Sequence, residues 1–249
     1  MSTATEVTTA PLSAKIVYPT SDGKPMGETD LHRNIMFESI ESLKLHFAGR
    51  RVYVSGNILL YYQPGNRRRH VSPDVLVVKG LEPHDRENYL LWEEGRPPNV
   101  VIEVTSESTR EEDLYDKFEI YRDRVRVAEY FLLDPRGDYL RPYLQGYRLK
   151  ARRYERIKAV SGRLPSRELG LQLEEHERHL RFFDPSAGGW IPTPDEARQA
   201  AEAERQAAQV ERQAAEAGRR QMAAKWQQAE AEAERLRREL ETLRRELGQ

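Results

Sequence analysis

The chain has 249 residues, 38% hydrophobic and 33% charged, and its net charge at pH 7 is −1. It is long enough for one medium-sized domain and an appendage, and it has no global basic field to attract nucleic acid. The absence of cysteine excludes disulfides and thiolate zinc sites. No apolar run is long enough to cross a membrane and the N-terminus has no apolar signal core, so we expect a soluble, cytoplasmic protein with no membrane partner.

Residues 1–27 are polar and rich in Thr, Ser and Pro, which predicts a flexible N-terminal arm. A helical pattern then opens a predicted domain over residues 28–193, with Thr29 or Asp30 as the cap and Gly49 as the stop. The apolar residues that share one face of this helix are Leu31, Ile35, Ile40, Leu43 and Phe47.

Strand patterns follow this helix. Residues 51–62 read as one strand. Three later runs, 75–78, 99–105 and 129–134, are almost continuously apolar, which suits strands covered on both faces. Residues 139–157 alternate in polarity and predict a hairpin that turns at Gln145-Gly146.

A helix is predicted between the last two of those buried strands. Residues 108–111 read as a capping box, and an apolar stripe of Leu114, Phe118, Tyr121 and Val125 follows. A strand, a helix and a second strand joined by short linkers indicate a crossover unit. The predicted fold class is therefore α/β, with a mixed central sheet flanked by helices.

From residue 194 to 249 the composition changes to Ala, Glu, Arg and Gln, which predicts one long helix. Leucines 236, 240, 243 and 247 are spaced by four, three and four residues, as in a coiled-coil seam. Alanine occupies the corresponding upstream positions and Gly218 interrupts the segment. We expect self-association, with a dimer as the simplest form; the pattern leaves parallel and antiparallel pairing open.

Two carboxylates mark the candidate site. Asp74 follows Pro73 at the start of a strand, and Glu103 lies inside the apolar strand that comes next. A carboxylate in such a strand is costly to bury unless it is paired or binds a metal, although a strand-end glutamate facing solvent or an arginine remains an alternative. Oxygen ligands of this kind suit Mg²⁺ or Mn²⁺.

Lys117 lies on the following helix, three residues after Leu114 and four before Tyr121, at the border of the apolar stripe. Its side chain can extend outward to solvent, or reach the sheet end that carries Asp74 and Glu103. In the second case it would position an attacking water and stabilise charge on a phosphate.

The segments SPDVLVV, PPNVVIEVTSEST, DLYDKFEIYR and AEYFLLDP together resemble the PD-(D/E)XK, restriction-endonuclease-like superfamily. The similarity is closest to the bacterial Uma-type family of restriction endonucleases and covers roughly residues 28–190. It implies a nuclease with Asp74 and Glu103 as metal ligands and Lys117 as the catalytic lysine, with a carbonyl of Val104 or Thr105 as a further ligand. The superfamily lysine stands two residues after the glutamate, where this chain has Thr105.

The expected function is therefore Mg²⁺- or Mn²⁺-dependent hydrolysis of DNA by an endonuclease. Arg67, Arg68 and Arg69, just before the Asp74 strand, are candidates for phosphate contact or a solvated hairpin tip. A binding-only relative and a coiled-coil docking protein are the alternatives. The weaker site candidates are His32, Glu38, Glu41 and the pair His176 and His179.

Overall fold

The structure is a computed structural model that describes residues 16–21, 23, 29–106, 109–246 and 248. The chain divides into two compact units, Met1–Pro194 and Asp195–Gln249. Most of the predicted N-terminal arm, Ser108 of the predicted capping box and Leu247 of the predicted seam lie outside the described residues. No helix in the described ranges is both long and apolar enough to cross a membrane.

The helices of the described residues are α1 (Asp30–His46), α2 (Leu91–Glu94), α3 and α4 (Pro194–Glu246). We call α3 the continuous helix formed by Glu112–Asp116, Lys117–Glu119 and Ile120–Val125, whose first and third parts have wide π-helical turns. The strands are β1 (Val52–Ser55), β2 (Leu60–Tyr61), β3 (His70–Val71), β4 (Val75–Lys79), β5 (Tyr89–Leu90), β6 (Val100–Val104), β7 (Glu129–Leu133), β8 (Leu144–Lys150), β9 (Arg153–Arg156), β10 (Leu164–Pro165), β11 (Gln172–His176), β12 (His179–Asp184) and β13 (Gly189–Trp190).

The central sheet has six strands in the order β1-β4-β6-β7-β8-β9. Its single parallel pair is β6 with β7, and α3 connects these two strands, so the predicted crossover unit is confirmed. Two smaller sheets, β10-β11-β12-β13 and β3-β2-β5, accompany it. The α/β class with a mixed central sheet, flanking helices and a long C-terminal helix is confirmed.

The two faces of the central sheet belong to two separate hydrophobic clusters. One cluster joins β6 residues Val100 and Ile102 to α1 and to the β10–β13 sheet. The other joins Val101 of β6 to Tyr121 of α3 and to β2. Because neighbouring strand residues face opposite sides, Glu103 points to the α3 face, like Val101.

The prediction that residues 51–62 form a single strand is wrong. The chain forms β1 and β2, which belong to different sheets. Gly56 and Asn57 separate them, and Asn57 has a φ of 51°, which is incompatible with a continuing strand. The turn at these two residues releases the chain from the central sheet after Ser55.

The predicted hairpin exists as β8 and β9, but its turn is not at Gln145-Gly146. Ala151 and Arg152, with φ values of 43° and 71°, form the turn. Gly146 lies inside β8, where an added Cβ would come within 2.7 Å of the Phe131 ring on β7. The glycine therefore provides room for a cross-strand aromatic ring and does not mark a turn.

The predicted long helix is α4, which spans Pro194–Glu246 and has 53 residues. No residue of α4 is buried, and its larger apolar side chains, including Trp226, are exposed. Intrahelical ion pairs such as Arg212 with Glu216, at 3.2 Å, support it.

Candidate active site

The pairing of β4 with β6 brings the two predicted carboxylates together. Val75 pairs with Ile102, so Asp74 and Glu103 are the next residues at the same end of the two strands. The Asp74 N–H donates to Glu103 Oε2 at 3.3 Å, and the Val104 N–H donates to Asp74 Oδ2 at 2.7 Å. Backbone groups thus orient both carboxylates.

Glu103 is fully buried, so the alternative of a solvent-facing strand-end glutamate is wrong. Tyr121 donates its hydroxyl to Glu103 Oε1 at 2.7 Å, and Lys117 Nζ lies 3.1 Å from Oε2. Burial raises the pKa of Glu103 well above its ordinary value, and the neighbouring Asp74 and Asp113 carboxylates add to the rise, against the opposing effect of Lys117. Sequence reasoning treated Tyr121 only as an apolar core residue.

Lys117 reaches inward to the sheet, so the alternative of an outward-extended side chain is wrong. Its side chain is 12% exposed, and Nζ lies 2.9 Å from Asp113 Oδ1 as well as next to Glu103. Although burial alone would lower the pKa of Lys117, the adjacent carboxylates raise it well above its ordinary value. The lysine is therefore a fixed positive charge.

Asp113 is a third carboxylate of this cluster, and sequence reasoning missed it. It is 2% exposed and stands four residues before Lys117 on α3, a spacing at which oppositely charged helical side chains meet. That spacing was the available signal. Because Asp113, Lys117 and Tyr121 recur every four residues, the helix presents all three to the same end of the sheet.

His32 connects α1 to the cluster. The backbone N–H of His32 donates to the side-chain oxygen of the cap residue Thr29 at 3.3 Å. The ring Nε2 of His32 lies 3.2 Å from Asp74 Oδ2. Burial alone would raise the pKa of Asp74, but the bond from His32, the charge of Lys117 and the Val104 N–H lower it overall. Asp74 is therefore held as a carboxylate.

A cleft of about 550 Å³ opens above these side chains. Asp74, Asp113 and Lys117 line its floor, while Asp134, Arg136 and Asp138 from the β7–β8 connection line another part of its wall. The cleft is large enough for a nucleotide-sized group, and both acidic and basic side chains line it.

Arg67, Arg68 and Arg69 are exposed on the β2–β3 connection. Arg68 and Arg69 line a second cleft of about 610 Å³, which shares Lys117 with the first. The α3 side of this cleft carries both signs of charge: Glu112, Asp116, Glu119 and Asp123, together with Lys117 and Arg124.

The weaker candidates lie apart from the cluster, except for His32. Glu38 Oε2 is 2.8 Å from His179 Nδ1, and Glu41 pairs with Lys44 at 2.9 Å. His176 pairs with His179 across the β11–β12 hairpin. Over the described ranges, no group of three or more His, Asp or Glu side chains is arranged to hold a metal ion.

Two carboxylates nevertheless fit Mg²⁺ or Mn²⁺. Mg²⁺ retains several waters and is commonly held by one or two carboxylates together with substrate phosphates, so a full protein cage is not required. The cluster contains three buried or nearly buried carboxylates, Asp74, Glu103 and Asp113, against the single ammonium of Lys117. The oxygen donors fit a divalent cation, whose charge would offset the repulsion by Asp74 and Asp113 that contributes to the raised pKa of Glu103.

A mixed α/β sheet with two carboxylates at the same end of neighbouring strands is the arrangement expected of a restriction-endonuclease-like domain. The position of the lysine on the crossover helix departs from it. The model of the Uma2 family, described as "Putative restriction endonuclease", matches residues 15–181. The chain belongs to this family, so the predicted resemblance is confirmed.

The comparison with solved structures includes a crystal structure of "a putative nuclease belonging to DUF820" from Anabaena variabilis. It is 15% identical in sequence, with a TM-score of 0.42, and the match covers 59% of this chain and 76% of that one. The comparison with curated proteins gave no match.

Proposed function

We propose that this protein is a Mg²⁺- or Mn²⁺-dependent endonuclease that hydrolyses DNA phosphodiester bonds in the cleft above Asp74. The observation that carries the proposal is the convergence of Asp74 (just before β4), Glu103 (β6) and Lys117 (α3), with Lys117 Nζ 3.1 Å from Glu103 Oε2. Membership of a family described as restriction endonucleases supports nuclease chemistry.

Asp74 and Glu103 would hold the metal, with a carbonyl of Val104 or Thr105 as a further oxygen donor. The metal supplies Lewis acidity and a water of lowered pKa. The protein's part is to hold these donors in place: the Val104 N–H and His32 both contact Asp74 Oδ2, and Tyr121 binds Glu103 Oε1.

Lys117 provides the positive charge at the point where a phosphate gains negative charge. Water adds its oxygen to phosphorus and releases a proton to solvent. The bond from phosphorus to the leaving oxygen breaks, and that oxygen takes up a proton from solvent. Asp113 holds the Lys117 ammonium at 2.9 Å, so the lysine can orient the water and stabilise the phosphate oxygens without reorganising.

We also propose that the exposed arginines of the β2–β3 connection contact DNA phosphates. Arg68 and Arg69 share a cleft with Lys117, so a backbone lying there would be continuous with the active site. The Arg68→Ala/Arg69→Ala double variant should bind DNA more weakly. The slope of log K against log salt concentration should become shallower by about two. An unchanged salt dependence would assign these arginines to the solvated hairpin tip.

The central experiment is cleavage of plasmid, linear and single-stranded DNA with Mg²⁺, Mn²⁺ or EDTA. Glu103→Gln keeps the shape of the side chain and should reduce cleavage by about a hundredfold or more. Glu129→Gln is the matched control, because Glu129 is also a buried glutamate of the central sheet. Glu129 starts β7 opposite Val100, at the other end of the sheet from Glu103, and should leave cleavage unchanged.

Each outcome separates the competing functions. Cleavage that needs metal and disappears only in Glu103→Gln supports the proposal, after both variants are shown to unfold cooperatively. Cleavage that survives Glu103→Gln rejects the site. DNA binding without cleavage by the wild type on every substrate indicates a binding-only relative. Absence of both binding and cleavage favours a protein that docks partners through residues 194–249.

A further inference from the structure

The apolar side chains of α4 follow a longer repeat than the leucines alone indicate. In the structure Met222, Trp226, Leu236, Leu240 and Leu243 are 54–74% exposed on this helix. With two alanines between them they form a series spaced by 4, 3, 4, 3, 4 and 3 residues, which we call the seam: Met222, Trp226, Ala229, Ala233, Leu236, Leu240 and Leu243.

This spacing is the heptad of a coiled coil. The residues Met222, Ala229, Leu236 and Leu243 take the d positions, and Trp226, Ala233 and Leu240 take the a positions. Leu236 and Leu243 occupy d positions, which leucine takes in parallel two-stranded coils. Exposed apolar side chains that are aligned along one face, including Trp226 at 74%, are typical of a surface that binds another protein surface.

The charges that flank the seam identify what covers it. In a parallel, in-register pair, each g residue faces the e residue five positions later on the other helix. Lys225 then faces Glu230, Glu232 faces Arg237, and Glu239 faces Arg244 of the second copy. All three pairs are attractive, and the two-fold symmetry of a dimer repeats each of them.

An antiparallel pair is less compatible with the same charges. The antiparallel register that packs Trp226 on Leu243 and Ala233 on Leu236 leaves Met222 without a seam partner. It also places Glu232 beside Glu239 of the second copy, and does so twice. Like charges at such positions are unfavourable. Within one helix, Glu239 already pairs with Arg235 at 3.1 Å, an exposed contact that does not block the seam.

We propose that α4 pairs with α4 of a second copy as a parallel, in-register, two-stranded coiled coil over Met222–Leu243. This pairing does not depend on the nuclease chemistry. One consequence does rest on the proposed function: both copies of α4 start at Pro194, where unit 1 ends, so two catalytic units are tethered to the same end of the coil.

The first arm of the test is sedimentation equilibrium of the full chain without DNA. The expected mass is twice the chain mass of 29.0 kDa. Leu240→Glu should raise the dimer dissociation constant by about a hundredfold or more, because it buries a carboxylate in an apolar layer. Thr242→Glu, on the same turn but outside the seam, should leave dimerisation unchanged. A monomeric wild type, a trimer, or a dimer insensitive to Leu240→Glu would overturn the proposal.

The second arm tests direction and register, and the absence of native cysteine makes it simple. Ala229→Cys places one thiol in a d layer, where a parallel in-register pair brings it next to its own copy. Oxidation should link two chains rapidly in this variant and slowly in Ala231→Cys, which lies at an f position away from the seam. Absence of cross-linking at Ala229→Cys in a dimeric sample would reject the parallel register.

Discussion

Lys117 and Glu103 lie on different elements, yet Lys117 Nζ approaches Glu103 Oε2 to 3.1 Å. In the PD-(D/E)XK superfamily, which this chain resembles, the lysine stands on the same strand as the glutamate and two residues after it. This chain has Thr105 at that position. Here Thr105 is 2% exposed and shares a hydrogen bond with the Tyr139 hydroxyl, so that position contributes a neutral contact. The helix supplies the charge that the strand lacks, and Asp113 fixes it in place.

Replacing Lys117 by methionine should reduce DNA cleavage by about a hundredfold or more, because the phosphate loses its stabilising charge. It should also lower the free energy of unfolding by about 3 kcal/mol, because Glu103 and Asp113 remain buried without a counter-charge. Cleavage assays and urea unfolding measure the two effects. Lys79→Met is the matched control, because Lys79 also pairs with a glutamate, Glu168, but lies at the far end of β4. Cleavage by Lys117→Met at the wild-type rate would exclude a catalytic lysine.

Metal binding should stabilise the folded chain. If Mn²⁺ binds only the native state, a concentration 100 times its dissociation constant adds about 2.7 kcal/mol to the free energy of unfolding. Thermal unfolding with increasing Mn²⁺ measures this, and the shift should be lost in Asp74→Asn and kept in Asp138→Asn, a carboxylate on the wall of the same cleft. An equal shift in both variants would place the metal elsewhere.

Tyr121→Phe removes the hydroxyl that donates to Glu103 Oε1 at 2.7 Å. The free energy of unfolding should fall by about 1–3 kcal/mol, because a buried carboxylate oxygen loses its partner. Cleavage should fall by about tenfold, since Glu103 is less firmly oriented. Tyr154→Phe removes a hydroxyl that donates to the Val127 carbonyl at 3.0 Å and not to a carboxylate of the cluster. Its cleavage rate should be unchanged; an equal loss of activity in both variants would indicate general destabilisation.

The sequence indicated that Asp74, Glu103 and Lys117 could meet, because these three residues lie on elements with strong local signals. Asp74 and Glu103 flank continuously apolar strands, and Lys117 borders an apolar helical stripe, so their elements could be placed before their contacts were known. The approach of His32 to Asp74 could not be predicted, because it depends on how α1 packs across the sheet. The break at Gly56 was missed because residues on both sides of it have strand character.

Gly56 deserves its own test, because an added Cβ would overlap the carbonyl oxygen of Asp74 and lie 2.7 Å from Ile40 Cδ1. Neither the strand backbone nor a buried isoleucine can move freely, so Gly56→Ala should destabilise the chain by about 1–3 kcal/mol and displace Asp74. Gly189→Ala is the control, because nothing lies within 4 Å of its Cβ position. Urea unfolding and Mn²⁺ affinity should both change only in Gly56→Ala. A normal Mn²⁺ affinity in Gly56→Ala would show that Asp74 tolerates the shift or does not bind metal.

Asp134, in the wall of the cleft, should make the stability of the fold depend on pH. Its carboxylate accepts the N–H groups of Gly137, Tyr139 and Leu140 at 2.8–3.0 Å. Burial alone would raise the pKa of Asp134, but these backbone donors lower it overall. A carboxyl whose pKa is lower in the folded than in the unfolded chain stabilises the fold at pH values above its unfolded pKa, which is about 3.9. This stabilisation is lost as the pH falls towards the pKa of the folded state.

Asp134→Asn replaces one acceptor oxygen by a donor, so it should lower the free energy of unfolding by about 1–3 kcal/mol at pH 7. The difference from wild type should stay constant from pH 7 to about pH 5 and shrink below about pH 4, where the wild-type carboxylate begins to protonate. Urea unfolding across this range measures it, with the exposed Asp138→Asn as a control that should follow the wild type. A difference that widens on acidification would contradict the lowered pKa, because it would mean that protonation stabilises the wild-type loop.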